Sequence, residues 1–334
     1  MVVVVGHAAI FDRGTFGVDI FFVVSGFIMM YVTQSTAKHF FVKRLIRIVP
    51  LYWLATIVRF ALSPSPIYEQ PFKWMLLVKS LLFFPPIKEG NYGQPIFNVG
   101  WTLNHEMAFY LLFTAACAVS VRNRGIIASG FLVVWTASIK IFELPYFHPT
   151  LPLEFILGII AFEIIRYAHV RKETERTKPV KITFNSVLII LCAVSLWFMT
   201  SNPAMKIIYG MGEWQHIRPL VLGIPAMILV CAFCIFMKDK KTPKFLAFFG
   251  NISFSCYLLH VYVIAFTKLI LVKLNLISME NYQSATYFYK LNLPNVMFLL
   301  FTVAVSVGVS WVSYHFIELK FTSWLRKVLM KPDN

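Results

Sequence analysis

The chain has 334 residues, of which 58% are hydrophobic and 14% are charged, and its mean hydropathy is +0.71. A soluble core of this size cannot bury so much apolar surface, so the composition excludes a soluble domain and indicates a polytopic membrane protein. The formal net charge is +16. Because most basic residues fall in short connectors between apolar segments, this charge reflects orientation in a membrane and predicts no nucleic-acid partner.

The apolar segments predict an all-α bundle of about ten membrane-spanning helices. Residues 2–11 come first and, at about 1.5 Å per residue, cover roughly half of a hydrocarbon core about 30 Å thick. We therefore expect that this helix is truncated and that the reading frame continues upstream of Met1. The other predicted spans, each bounded by charge or proline, are residues 16–32, 45–62, 97–121, 126–142, 151–167, 182–200, 219–237, 245–272 and 296–316.

The connectors predict how the chain is oriented. Every second connector is basic, and Lys and Arg concentrate in cytoplasmic loops, so we expect both termini in the cytoplasm. A polar, Pro-rich connector holds a short apolar piece at residues 74–84, which could dip into the bilayer. No repeat or low-complexity linker divides the chain, which predicts a single domain over residues 1–334.

A basic cluster runs directly into an apolar segment in FFVKRLIRIVPLYW, from Phe40 to Trp53. If a helix covers Arg44 and Arg47, both guanidiniums leave it on one face, because residues three apart are neighbours there. With Lys43 they form what we call the cationic edge, which could bind a phosphorylated ligand through planar, bidentate donors. Pro50 predicts a kink in this helix, lined by Tyr52. The alternative is that the basic residues only determine topology.

Polar residues inside the spans are functional candidates, because burying them in lipid is costly. His7 and Asp19 both lie in the non-cytoplasmic half of the predicted topology. A carboxylate in that position could orient an imidazole as a general base. The alternative is a buried histidine hydrogen-bonded to a backbone carbonyl.

The segment WTLNHEMAFYLLF, which begins at Trp101, places Asn104, Glu106 and Tyr110 within two helical turns. Glu106 and Tyr110 are four residues apart and share a face. A structural bond from Glu106 to Arg59 or Tyr52 is as plausible as a chemical role.

Other polar residues near the C-terminal end of the chain carry weaker signals. His260, His315 and Glu318 are interpreted as structural. Cys231 and Cys234 lack the second pair of cysteines or histidines that a zinc site needs, so we predict no metal site.

Taken in order, these motifs resemble the acyltransferase 3 family of bacterial integral-membrane acyltransferases. The WTLN-x-E form is most similar to exopolysaccharide O-acetyltransferases of the succinoglycan type. The resemblance covers essentially the whole chain and rests on His7, GVDIFFVVSGF (17–27), KRLIRIVPLYW (43–53), GWTLNHEMAFYLLF (100–113) and FFGNISFSCYLLH (248–260).

The resemblance implies an enzyme of the bacterial inner membrane. It would take an acyl group from cytoplasmic acyl-CoA, in the first place acetyl-CoA, to a sugar hydroxyl of an exopolysaccharide, O-antigen or lipid-linked glycan, with no bound cofactor. His7 matches the family's first-helix histidine, Arg44 and Arg47 its RxxR motif, and Glu106 the glutamate of its WTL motif.

Two departures from the family pattern limit this transfer of roles. The family's arginine eleven residues before the histidine has no position in this chain. Its Glu-x-Pro motif is replaced by Glu318, Leu319 and Lys320, and we leave that segment out of the predicted site.

The predicted chemistry needs a base, donors for the developing oxyanion and a clamp for the coenzyme's phosphates. His7, the segment from Trp101 to Tyr110 and the cationic edge would supply these in turn. The sequence contains no G-x-S-x-G elbow, the motif that would indicate an acyl-serine intermediate. An acyl-histidine intermediate is left as an open alternative. The alternatives are a secondary transporter or a non-catalytic membrane component of polysaccharide export or synthesis. Transporters usually show internal repeats, and the segment from His7 to Trp53 has no second copy.

Overall fold

Helices make up nearly all of the chain that the computed structural model describes, which is residues 16–62, 72–84, 87–88, 91–92, 94–142, 148–170, 178–201, 216–238, 240–283, 288 and 292–330. A two-residue strand β1 (Ile87–Lys88) pairs antiparallel with β2 (Asn91–Tyr92). The helices are α1 (Gly17–Val32), α2 (Phe40–Leu62), α3 (Phe72–Leu81), α4 (Gly100–Val119), α5 (Arg124–Ile141), α6 (Pro152–Val170), α7 (Lys178–Met199), α8 (Ile224–Met237), α9 (Lys244–Lys273), α10 (Met279–Gln283), α11 (Leu293–Ser313) and α12 (Leu319–Leu329).

Each predicted span that falls on described residues coincides with a helix, which confirms the all-α prediction. A π-helical turn, Pro219–Gly223, leads into α8, and another, Tyr314–Glu318, joins α11 to α12. Within the described residues, five helical segments are at least 18 residues long and apolar enough to cross a membrane. The chain is therefore a multi-pass membrane protein. The first predicted span, residues 2–11, lies outside the described residues.

By its internal contacts the chain divides into two units, which we call unit A (Met1–Gly17, Lys43–Ser63 and Thr242–Asn334) and unit B (Val18–Val42 and Pro64–Lys241). The single domain over residues 1–334 and the orientation of the termini stay predictions.

In unit A, α9 packs along α11, and the Tyr262 hydroxyl of α9 donates a hydrogen bond of 2.5 Å to the Ala55 carbonyl of α2. Helix α2 is continuous from Phe40 and contains Pro50, so it covers the arginines of the cationic edge as predicted. One face of α2 exposes Trp53 and Ile57, whereas Tyr52 and Ala55 on the other are buried. This division is expected of a helix that meets lipid on one side.

Two glycines bring α1 and α6 into close contact in unit B. A Cβ on Gly26 would lie 2.1 Å from the Phe155 carbonyl oxygen, and one on Gly158 would lie 2.0 Å from the Val23 carbonyl oxygen. Only glycine therefore fits at either position, as is common where membrane helices cross closely. The crossing lies less than two turns from Glu154 and two turns from Asp19, so it also positions these carboxylates.

Arg124 ties the other end of α1 to the start of α5. Its Nε donates to the Thr33 hydroxyl at 2.7 Å, its Nη2 to the Met30 carbonyl at 3.0 Å and its Nη1 to the Val121 carbonyl at 2.6 Å. The guanidinium thus satisfies carbonyl groups that the end of a helix leaves without partners. Arg124 also belongs to one of the basic connectors from which the orientation of the chain is predicted, and this structural role is not visible in the sequence pattern.

Candidate functional site

A buried ion cluster, formed by Asp19, Glu154 and Arg218, lies in unit B where α1, α6 and the turn before α8 begin. Arg218 donates from Nε to Asp19 Oδ1 at 2.8 Å and from Nη2 to Asp19 Oδ2 at 3.2 Å. Asp19 is 0% exposed and Arg218 is 5% exposed. The bidentate geometry is the strong form of this ion pair, and it compensates a charge that would otherwise be very costly to bury.

Glu154 is the second carboxylate of the buried ion cluster. Its Oε1 lies 3.7 Å from Arg218 Nε, which is beyond hydrogen-bond distance. Within the described part of the chain, neither Glu154 oxygen has a hydrogen-bond partner, and the residue is 0% exposed. One guanidinium therefore faces two carboxylates, so a further positive charge or a proton is needed to balance the cluster.

His105, one turn into α4, is held in a single tautomer by two backbone groups. Its Nδ1 lies 2.9 Å from the Trp101 carbonyl, and its Nε2 accepts the His148 backbone N–H at 2.9 Å. Since Nε2 accepts, the proton is on Nδ1 and the ring is neutral. His105 therefore orders α4 and the connector before α6, and it is not placed as a base.

His148 lies in that connector, partly buried. The Thr150 backbone N–H and hydroxyl lie 3.5 and 3.3 Å from His148 Nδ1. Burial, together with the charge of Arg218 and the neighbouring His105, lowers the pKa of His148 to about 3. The imidazole is therefore neutral at pH 7.

Glu106 connects α4 to α1. Its Oε1 accepts a hydrogen bond from the Ser25 hydroxyl at 3.2 Å and another from the Tyr110 hydroxyl. The prediction that Glu106 and Tyr110 share a face is confirmed. A contact of Glu106 with Arg59 or Tyr52 stays a prediction.

Asn104 is the most unusual polar group of α4. It is 1% exposed, and within the described residues neither its Oδ1 nor its Nδ2 has a hydrogen-bond partner. An amide buried in this way costs about 1–3 kcal/mol, so native proteins retain one only rarely. Trp101, three residues earlier, is half-buried, with its ring edge-on to the His105 ring at 5.8 Å.

The cationic edge lies in unit A, at the start of α2. Lys43 and Arg47 are exposed, whereas Arg44 is half-buried. The charge of Arg47 acts on the Glu318 carboxylate, which also contacts the Ser255 hydroxyl of α9. Ser255 in turn lies 3.0 Å from the Ser313 hydroxyl. The π-helical turn that ends at Glu318 thus lies beside the cationic edge.

Sequence reasoning missed several residues of these clusters. Glu154, His148 and Arg218 lie at or near the ends of apolar segments, where a charge is ordinarily a boundary signal. Glu318 was left out of the predicted site, although it lies close enough to Arg47 for that charge to act on its carboxylate. His7 lies outside the described residues, so its predicted role as a base stays a prediction.

Comparison with known proteins adds a family to this geometry. The profile of the acyltransferase 3 family, an acyltransferase domain, matches residues 1–315. Over 164 residues the chain is 35% identical to the "Exopolysaccharide production protein ExoZ" of Rhizobium meliloti (strain 1021), an alignment that covers 46% of this chain and 51% of that protein. The matched part thus spans about half the length of ExoZ.

A second relative aligns over more of the chain. Over 263 residues the chain is 23% identical to the "Putative acetyltransferase ORF330" of Acidianus two-tailed virus, covering 76% of this chain and 74% of that protein. No solved structure matches.

Proposed function

Because the chain belongs to the acyltransferase 3 family, a polytopic membrane family, we propose that it is a membrane O-acyltransferase. It moves an acyl group, in the first place acetyl, from cytoplasmic acyl-CoA to a sugar hydroxyl of an exopolysaccharide, O-antigen or lipid-linked glycan. The family match over residues 1–315 carries the reaction class. The names of ExoZ and ORF330 support the polysaccharide acceptor and the acetyl group respectively.

The proposed location is the bacterial inner membrane, crossed by about ten helices as the lengths of the apolar segments predict. Both termini lie in the cytoplasm. The support is the alternation of basic connectors, among them the one with Arg122 and Arg124, and the concentration of Lys and Arg on the cytoplasmic side of membrane proteins.

Asn104 is the proposed donor to the oxyanion of the tetrahedral intermediate. Its buried amide has no hydrogen-bond partner among the described residues, so Nδ2 would not have to break an existing bond to serve a substrate. A donor that is fixed and desolvated before the reaction stabilises a developing negative charge most effectively. Trp101, which is half-buried, is the proposed supporting residue on the same helix.

His7 is the proposed general base, with Asp19 as the group that orients it. Arg218 occupies one lone-pair site on each Asp19 oxygen. A carboxylate has about four such sites, so Asp19 can still accept an imidazole N–H. Glu106 is the second proposed catalytic carboxylate, held by Ser25 and Tyr110.

The cationic edge is the proposed binding site for the phosphates of acyl-CoA. Arg47 and Lys43 are exposed, as a site for a soluble ligand requires. Tyr52 lies two turns along α2 from Arg44 and is fully buried, so its proposed role is to support the helix.

The proposed reaction is a direct transfer. The acceptor oxygen attacks the thioester carbonyl while its proton passes to His7, and the oxyanion that forms is stabilised by the Asn104 amide. The carbon–sulfur bond then breaks, and the leaving thiolate takes the proton back from the imidazolium. No other reactant is needed.

The experiment that tests the function uses membrane vesicles with the cytoplasmic face outward. We expect radiolabelled acetyl to pass from acetyl-CoA to glycan in vesicles that contain the protein and not in vesicles without it. Glycan mass spectrometry identifies the acyl group, since acetyl and succinyl add different masses. Acylation that is equal with and without the protein would refute the proposal.

A further inference from the structure

Helix α12 at the C-terminal end of unit A has two chemically distinct faces. At 100° per residue, Phe321, Trp324, Leu325 and Val328 fall on one side of the helix. The basic residues Lys320, Arg326 and Lys327 fall on the other side, together with Leu319 and Ser323. Such a division is typical of a helix that lies where an apolar and an aqueous phase meet.

The apolar face of α12 is open in the described structure. Phe321 is 43% exposed, Trp324 is 54% exposed and Val328 is 53% exposed. The Phe321 and Trp324 rings lie 5.5 Å apart and contact each other. No residue of α12 is buried, although Leu325 is half-buried, so the described part of the chain leaves most of this face uncovered.

The length of the last helical segment places α12 at the edge of a bilayer. Residues Leu293–Leu329 form 37 consecutive helical residues. At about 1.5 Å per residue they extend roughly 55 Å, against a hydrocarbon core of about 30 Å. The predicted span at residues 296–316 alone fills that core, so α12 begins where the headgroups begin.

We propose that α12 is an interfacial helix that binds anionic phospholipids of the membrane in which the protein sits. The apolar face enters the boundary between headgroups and acyl chains, and Lys320, Arg326 and Lys327 contact lipid phosphates. Charge complementarity selects this occupant, because no acidic residue interrupts the basic face of α12. The proposal is independent of the proposed reaction.

The test uses the full chain in lipid nanodiscs of one composition, a mixture of phosphatidylglycerol and phosphatidylcholine. Two preparations differ only in which lipid carries bromine, an atom that quenches tryptophan fluorescence. In the first, the acyl chains of the anionic lipid are brominated, and in the second, the acyl chains of the zwitterionic lipid are brominated. The chain has 8 Trp residues, so the Trp324 signal is taken as the difference between wild type and Trp324→Phe. We expect the anionic lipid to be enriched around Trp324 by roughly fivefold or more, because the attraction of a single Lys or Arg to the anionic surface already gives an enrichment of about this size.

Two triple variants complete the experiment. Lys320→Gln/Arg326→Gln/Lys327→Gln should abolish the enrichment. Gln substitutions at Lys238, Lys240 and Lys241 remove the same amount of charge from a connector elsewhere in the chain, and they should leave the lipid enrichment around Trp324 intact. Equal quenching by both lipids would overturn the proposal. Quenching by neither lipid would overturn it too, and would show that a protein surface covers the apolar face.

Discussion

The substitution Asn104→Leu separates a catalytic role of this side chain from a structural one. The side chain is 1% exposed, and neither of its amide atoms has a hydrogen-bond partner among the described residues. A buried amide without partners costs about 1–3 kcal/mol, and Leu has a similar size without that cost. We therefore expect the free energy of unfolding to stay constant or to rise by up to this amount.

Activity should change in the opposite direction. Removing one preorganised oxyanion donor typically lowers the rate about 10²- to 10³-fold, which corresponds to a loss of roughly 3–4 kcal/mol of transition-state stabilisation. The assay is the initial rate of acetyl transfer at saturating acetyl-CoA, with the thermal midpoint measured on the same preparation. A more stable and much slower enzyme is the predicted combination.

Thr102→Val is the matched control, because Thr102 is also buried on α4 but already donates to the Val99 carbonyl at 3.2 Å. This variant should lose some stability, because the hydroxyl's hydrogen bond to the Val99 carbonyl is removed, and should retain its rate. If Asn104→Leu transfers acetyl as fast as wild type, Asn104 does not stabilise the oxyanion. If it unfolds more easily, the amide has a structural partner.

Four further perturbations address other parts of the structure. His7→Ala should abolish transfer and leave the amount of protein in the membrane unchanged, as an immunoblot beside the activity assay would show. Arg44→Ala and Arg47→Ala should each raise the KM for acyl-CoA by about 10- to 150-fold, which is the expected effect of losing one charge-assisted contact. Lys at either position should restore the KM only poorly, because it lacks the planar donors of Arg. Gly158→Ala should cost about 1–3 kcal/mol of unfolding free energy, because its Cβ would lie 2.0 Å from a backbone oxygen of α1. Lowering the pH should destabilise the protein through His148, because its pKa of about 3 in the folded state is below the unfolded value of about 6.5. Below that unfolded value the unfolded state binds more protons than the folded state, and stability falls. The difference between the thermal midpoints at pH 7.5 and pH 5 should therefore be smaller in His148→Phe than in wild type.

Each of these predictions has a result that would contradict it. Full activity of the His7 variant would remove the imidazole from the mechanism. An unchanged KM in the arginine variants, together with altered topology, would leave orientation as the function of the cationic edge. Gly130, where an added Cβ meets no atom within 4 Å, is the control glycine, and equal losses at Gly130 and Gly158 would refute the close-crossing argument. An identical pH dependence in wild type and the His148 variant would refute the titration argument.

The positions of the helices could be predicted because hydropathy and length are local properties of the sequence. The segment before Pro50 likewise indicated that one helix carries both Arg44 and Arg47, and α2 does so. What local patterns do not contain is the pairing of distant segments. Asp19 and Arg218 are 199 residues apart in the chain, and the close crossing at Gly26 and Gly158 depends on how two helices pack.

Glu318 shows why the candidate site was only partly predicted. A glutamate near the end of an apolar segment ordinarily marks a boundary, and the expected Glu-x-Pro pattern was absent. The π-helical turn Tyr314–Glu318 shifts the register of the helix, and such turns are not readable from hydropathy. Its contact with Ser255 of α9 required the tertiary structure.

The most direct test of the central claim is acetyl transfer by the purified chain in proteoliposomes. With radiolabelled acetyl-CoA outside and a lipid-linked glycan acceptor in the membrane, the proposed function predicts labelled glycan and free coenzyme in equal amounts. It also predicts that the vesicle lumen gains no intact acetyl-CoA. Uptake of acetyl-CoA or glycan without covalent transfer would contradict the account and indicate a transporter.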